Sequence, residues 1–110
     1  MRNLIRHILK EETESEVRKV IKVLKNFIME YFSEVDWFKD VDFKIGEWFS
    51  AMSSKPIPEI IITIYIIDEE VREIDFSDLI NEIDFIMDMF FPMTKDGRHT
   101  AVWVMDVNPV

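Results

Sequence analysis

The sequence predicts an α+β fold: a two-layer sandwich in which a three-stranded mixed β-sheet carries two long helices on one face, in the order (α)αββαβ. Three observations lead there. Apolar residues recur at intervals of three and four over residues 13–34 and again over 75–91, the period of a helix with one buried stripe. Val41, Phe43 and Ile45 alternate with polar residues or glycine, the period of a strand with one wet face. Of the nine residues from Glu59 to Ile67, seven are Ile or Tyr, side chains that suit a packed, pleated surface.

Taken in order, Leu4, Ile5, Ile8 and Leu9 predict a short amphipathic helix within residues 1–12, a candidate separate docking segment. Thr13 and Glu16 have the spacing of a capping box, which places the start of the main helix near residue 13 and its end near 34. Its stripe is Val17, Val20, Ile21, Leu24, Phe27, Ile28, Tyr31 and Phe32, with Arg18, Lys22 and Lys25 opposite. The first strand begins near Val41, and the phase change at Glu47 and Trp48 suggests a bulge near Gly46. Residues 50–58, with two serines and two prolines after Ser50, read as a loop. The strand at 59–67 is expected to be central. If Ile60, Ile62, Ile64 and Ile66 face the helices, Ile61, Tyr65 and Ile67 face the other way and need a cover.

After an acidic connection, a second amphipathic helix is expected over 75–91, closed by Pro92. Lys95, Asp96, Gly97 and Arg98 have the chemistry of a tight turn, and the last strand is placed at 100–107. The loop between the first two strands permits antiparallel pairing. The helix between the second and third suits a right-handed parallel crossover. The neighbour of the third strand is left open.

Length and composition limit the functional classes. At 110 residues, a single domain with one core is expected. The chain has no cysteine, so disulfides, thiolate metal sites and cysteine nucleophiles are excluded. Charged residues interrupt the first 12 positions, and no apolar run approaches the roughly 20 residues needed to span a bilayer. The expected location is cytoplasmic, in a cell or inside a virus-infected cell. The net charge of −9 is uneven: residues 1–33 carry seven Lys/Arg against five Glu, and the remainder six against seventeen acids. Such a body repels phosphate, so direct nucleic-acid binding is disfavoured and a protein partner or self-association is favoured.

No catalytic constellation emerges. Two glycines cannot build a phosphate-binding loop or a dinucleotide fingerprint. His7 and His99 belong to no spaced ligand set and read as surface histidines. Ser50, Ser53 and Ser54 lack a strand-turn-helix elbow and read as loop residues. No catalytic residue, metal or cofactor is assigned. Asp40, Asp42, Lys44 and Glu59 loosely suggest the acidic sets that hold Mg²⁺ in nucleases, which leaves a metal-dependent nuclease as one alternative. A second alternative is an acidic inhibitor that imitates nucleic acid, with Asp68, Glu69, Glu70 and Asp78 as its charged surface. The plainer reading of those acids is a solvated helix face with carboxylates at the positive end of the helix dipole.

The favoured reading is a non-enzymatic interaction module. Trp37, Trp48, Phe49, Ile61, Tyr65 and Ile67 exceed what one buried layer accommodates and are the candidate partner contacts. The opening Asn3-Leu-Ile-Arg-His-Ile-Leu-Lys-Glu-Glu12 resembles the start of many small proteins encoded by tailed bacteriophages, over ten of the 110 residues. The order of elements also looks like that of tail-completion proteins. What these resemblances imply is a phage setting and a role as a virion or assembly component. They transfer no functional residue.

Overall fold

The computed structural model describes residues 2–49, 56–67 and 75–110, with side chains of the first helix from residue 15 onward. Helix α1 (Arg2–Tyr31) is followed by strands β1 (Phe38–Trp48) and β2 (Ile57–Ile66), helix α2 (Ser77–Phe90) and strand β3 (Val102–Pro109). The sheet order is β1-β2-β3, so β2 is central and β3 borders it. β1 and β2 are antiparallel; β2 and β3 are parallel, joined through α2. The fold is thus the predicted α+β type with a mixed three-stranded sheet, although α2, at 14 residues, is less than half as long as α1.

One helix replaces the two expected before residue 34. α1 runs unbroken for 30 residues, through the proposed break at 11–16, and ends at Tyr31. A capping box would need Thr13 to leave helical geometry. Lys10, Glu11, Glu12, Glu14 and Glu16 are good helix formers, and an interior Thr costs only a fraction of a kcal/mol, whereas restarting a helix repeats the costly nucleation step. Continuation wins.

Both helices pack on one face of the sheet. Val17, Val20, Leu24, Ile28 and Phe32 of the α1 side join Leu79, Ile83 and Met87 of α2 in a single core with Ile60, Ile62, Ile64 and Ile66. The four isoleucines are almost fully buried. Each contributes about 1.5–3 kcal/mol by leaving water, so together they fix which face of β2 the helices cover. Val41 and Phe43 of β1 and Trp103, Met105 and Val107 of β3 flank them in register on the same side. Trp103 also donates its indole N–H to the Asp84 carboxylate at 2.6 Å, which ties β3 to α2.

The irregularity in β1 lies at Lys39, between Phe38 and Asp40, rather than at Gly46. Strict alternation would put Phe38 and Val41 on opposite faces. One extra residue turns Phe38 to the helix side, where it stacks on Phe32 with ring centroids 4.9 Å apart. Pairing is regular from Asp40 through Gly46 to Trp48. The phase change at Trp48 is therefore an aromatic on the far face and no bulge. Thr94 closes the turn at 95–98: its carbonyl accepts from the Gly97 N–H at 3.0 Å, its Oγ1 from the Arg98 N–H at 2.9 Å. Gly97 has φ of 80°, where a side chain would be strained.

Two carboxylates belong to these local structures. Asp75, just before α2, accepts from the hydroxyl and the backbone N–H of Ser77; Asp96 accepts from the Thr94 hydroxyl at 2.8 Å. Those hydrogen bonds hold both below the ordinary carboxylate value of 3.8, the side-chain bond being the largest cause in each case. A depressed folded value means stability that is present above 3.8 and lost as pH falls through the folded value. Asp75→Asn with Asp96→Asn should flatten the acid limb of a plot of urea midpoint against pH below about pH 5. In the core, Ile64→Ala should lower unfolding free energy by about 2–5 kcal/mol in the same assay.

Candidate functional site: the uncovered face of the sheet

The face of the sheet opposite the helices carries no covering element among the described residues. The register defines its rows. Trp48 lies beside Ile57; Gly46, Glu59 and Val102 form the next row; then Lys44, Ile61 and Val104; then Asp42, Thr63 and Asp106; then Asp40, Tyr65 and Asn108. None of the apolar members, Trp48, Ile57, Ile61, Tyr65, Val102 and Val104, packs against the core. Trp48 is 41% and Val104 43% exposed, while Ile57, Ile61, Tyr65 and Val102 are shielded only in part.

The apolar surface is concentrated at one end. Ile61 has Val104 beside it, Val102 diagonally adjacent and Ile57 further along its own strand, with Trp48 next to that. Gly46 sets a shallow notch within this end: a Cβ there would come within 3.5 Å of the Glu59 carboxylate and of the Ile61 side chain. The middle is polar. Thr63 stands between Asp42 and Asp106, and Tyr65 lies beyond it, about 14 Å from Ile61 at the rise of an extended strand.

The expected contact residues therefore divide. Trp48 and Ile61 share the face two rows apart, about 14 Å along the strands, and are linked through Ile57 and Val102. Tyr65 is on the same face but across the polar row. Ile67, 57% exposed, and Phe49, 65% exposed, lie just past opposite ends of the paired strands, outside the ladder. Trp37 is a correction: its ring packs against Phe32 and Phe76, with centroids 5.2 and 6.2 Å away, so it joins the aromatic end of the core. Its carbonyl also accepts from the Ile67 N–H at 2.8 Å. Val104 and Ile57 were missed by sequence reasoning. The β1–β2 register places Ile57 beside Trp48, and the place of Val104 beside Ile61 depends on which strand β3 joins; both are non-local facts.

Carboxylates frame the apolar end. Asp40, Asp42, Glu59 and Asp106 share this face with one cation, Lys44. Asp40 accepts from the Val41 N–H at 2.8 Å and Asp42 from the Phe43 N–H at 3.0 Å. Both donors lie on an edge strand, and satisfying them with charged side chains discourages another strand from pairing there. Of the acidic surface, Asp78 is exposed in the first turn of α2, and Asp68, Glu69 and Glu70 lie outside the described residues.

The geometry offers little to a metal ion. Asp42 and Glu59 share a face but are four strand residues apart in register, about 14 Å, and Asp42 and Asp106 are separated by the width of β2, about 10 Å. Ligands of one Mg²⁺ each lie near 2.1 Å from it. Among the described residues, no group of three His, Asp or Glu side chains is close enough to hold a metal. A shallow cleft of about 200 Å³ between α2 and β3 includes Asp84, Asp88, His99 and Trp103, with Asp84 already engaged by the Trp103 indole. Nor is any helix among the described residues long and apolar enough to cross a membrane.

No family model matches this chain, and neither a curated protein nor a solved structure matches it.

Trp103→Phe keeps the ring but removes the indole donor to Asp84. Unfolding free energy should fall by about 0.5–1.5 kcal/mol, and Asp84→Asn, which retains an acceptor, should cost less.

Proposed function

We propose that the chain is a non-enzymatic protein-interaction module that docks through the uncovered face of its sheet, as a component of a larger assembly. The observation that carries this reading is the apolar end of that face, formed by Trp48, Ile57, Ile61, Val102 and Val104 on three different strands and left outside the core. An apolar surface gathered from several strands and rimmed by charge is what a docking site requires. The rim sets the sign of the partner. Four carboxylates against one lysine favour a protein surface with an apolar centre and Lys or Arg around it, because charge of the same sign would be held close and partly desolvated. The virion or assembly role implied by the N-terminal resemblance fits such a module.

Stability and binding should separate on this face. Ile61→Lys should leave the urea midpoint nearly unchanged, within about 1 kcal/mol, whereas Ile62→Lys, one residue along and facing the helices, should prevent folding. Unfolding of the Ile61→Lys variant would mean that the chain covers this face itself. Affinity capture from the native source should then lose its retained proteins, including further copies of this chain, when the bait carries Ile61→Lys with Val104→Lys. An identical set retained by both baits would overturn the reading.

A further inference from the structure

The uncovered face is acidic. On the opposite side of the molecule the outer ridge of α1 is basic, whereas the exposed face of α2 carries Asp78, Glu82, Asp84 and Asp88. In α1, Val17, Val20, Leu24 and Ile28 point to the core, so the exposed ridge consists of Arg18, Lys19, Lys22, Val23, Asn26, Met29 and Glu30, with Lys25 on its flank. Arg18, Lys19, Lys22 and Lys25 are four cations within eight residues, and of these Lys19 has an acidic neighbour, Glu16, at 3.4 Å. Val23 and Met29, 39% and 42% exposed, give the ridge apolar contacts between and beyond its charges. The two surfaces match in kind: an apolar end bordered by Asp42, Glu59 and Asp106, with Lys44 beside Ile61, on one, and apolar side chains among cations on the other.

We infer that the occupant of the uncovered sheet face is the outer ridge of α1 from a second copy of this chain, an inference that rests on the docking role proposed above. In such a contact the helix of one copy supplies the missing third layer of its neighbour, completing an α/β/α sandwich across two chains. Other pairings of two copies are less well matched. Sheet face against sheet face would bring four carboxylates and one lysine onto the same set, like charge against like. Ridge against ridge would oppose cations to cations. Of these three pairings of ridge and sheet face, the mixed one alone places opposite signs together. Because it uses two different patches, each contact leaves one copy with a free face and the other with a free ridge, so association continues into a ring or a linear array and does not stop at a two-fold dimer.

The test is a reciprocal charge exchange followed by light scattering during size-exclusion chromatography and by sedimentation. Wild-type protein should exceed the mass of one chain at low ionic strength and shift towards the monomer as salt rises through several tenths molar. Lys22→Glu with Lys25→Glu should weaken association at least about tenfold, and so should Asp42→Lys with Asp106→Lys, since the first cancels the net positive charge of the ridge and the second the net negative charge of the face. All four positions are exposed, so both variants should fold, which circular dichroism checks. Mixing the two variants brings the unaltered ridge of one to the unaltered face of the other, and the mixture should associate where neither does alone. A wild-type chain that stays monomeric up to about millimolar concentration would overturn the inference, a range that covers even weak contacts. Association unaffected by the ridge substitutions, or a mixture that fails to associate, would do the same. The docking role stands or falls separately. A monomeric chain whose Ile61→Lys, Val104→Lys bait loses a different protein keeps that role and loses this occupant, whereas baits that retain the same proteins remove both.

Discussion

A sheet has two faces, and this chain has one layer of helices. That mismatch governs the rest of the structure. β2 lies between two other strands, so its backbone donors and acceptors are met on both sides, and its side chains must divide evenly between the two faces. Ile60, Ile62, Ile64 and Ile66 take the covered side, which leaves Ile57, Glu59, Ile61, Thr63 and Tyr65 on the other. A slip of one residue would exchange the two sets and expose four buried isoleucines, so the register is firmly held. The uncovered residues follow from it.

Much of this was legible in the sequence because the signals are local. The alternation at Val41, Phe43 and Ile45, the Ile-rich run after Glu59 and the stripe of Leu79, Ile83 and Met87 each report a period that survives in the folded chain. Gly97 in its turn is equally local, since the positive φ is a property of one residue. The failures were of two physical kinds. At Thr13 and Glu16 a correct capping pattern lost to propagation, because a pattern that can start a helix does not oblige a helix to start there. At Phe38 and Trp37, distant aromatics decided the outcome: Phe32 and Phe76 draw both rings to the core side, and a bulge at Lys39 accommodates Phe38.

The candidate site shows the same division. Ile61 and Trp48 could be flagged because each breaks a pattern within its own strand. Val104 could not, since Val102, Val104 and Asp106 carry no mark of their own until β3 is paired with β2. The Trp103 indole bond to Asp84 spans 19 positions and fixes α2 to an edge strand, a link that no spacing rule anticipates. Binding faces assembled from several strands are illegible for this general reason: each strand contributes one or two residues, and their meaning lies in the register.

For the docking role proposed above, charge supplies the selectivity. An apolar patch alone would accept almost any apolar partner, including an incorrectly oriented copy of itself. Asp42 and Asp106 flank Thr63 in the polar row, Glu59 sits beside the Gly46 notch, and the overall charge of −9 adds a repulsion that acts at longer range. A partner must therefore bring cations before its apolar groups can reach Ile61 and Val104. On this chain the exposed cations are most concentrated on α1, around Lys22, which lies on the far side of the molecule from the face it would complement. Because α1 and the uncovered face lie on opposite sides of the same sheet, the α1 of a copy cannot cover that copy's own face. The separation that keeps α1 off its own uncovered face is the one that the proposed association between copies uses.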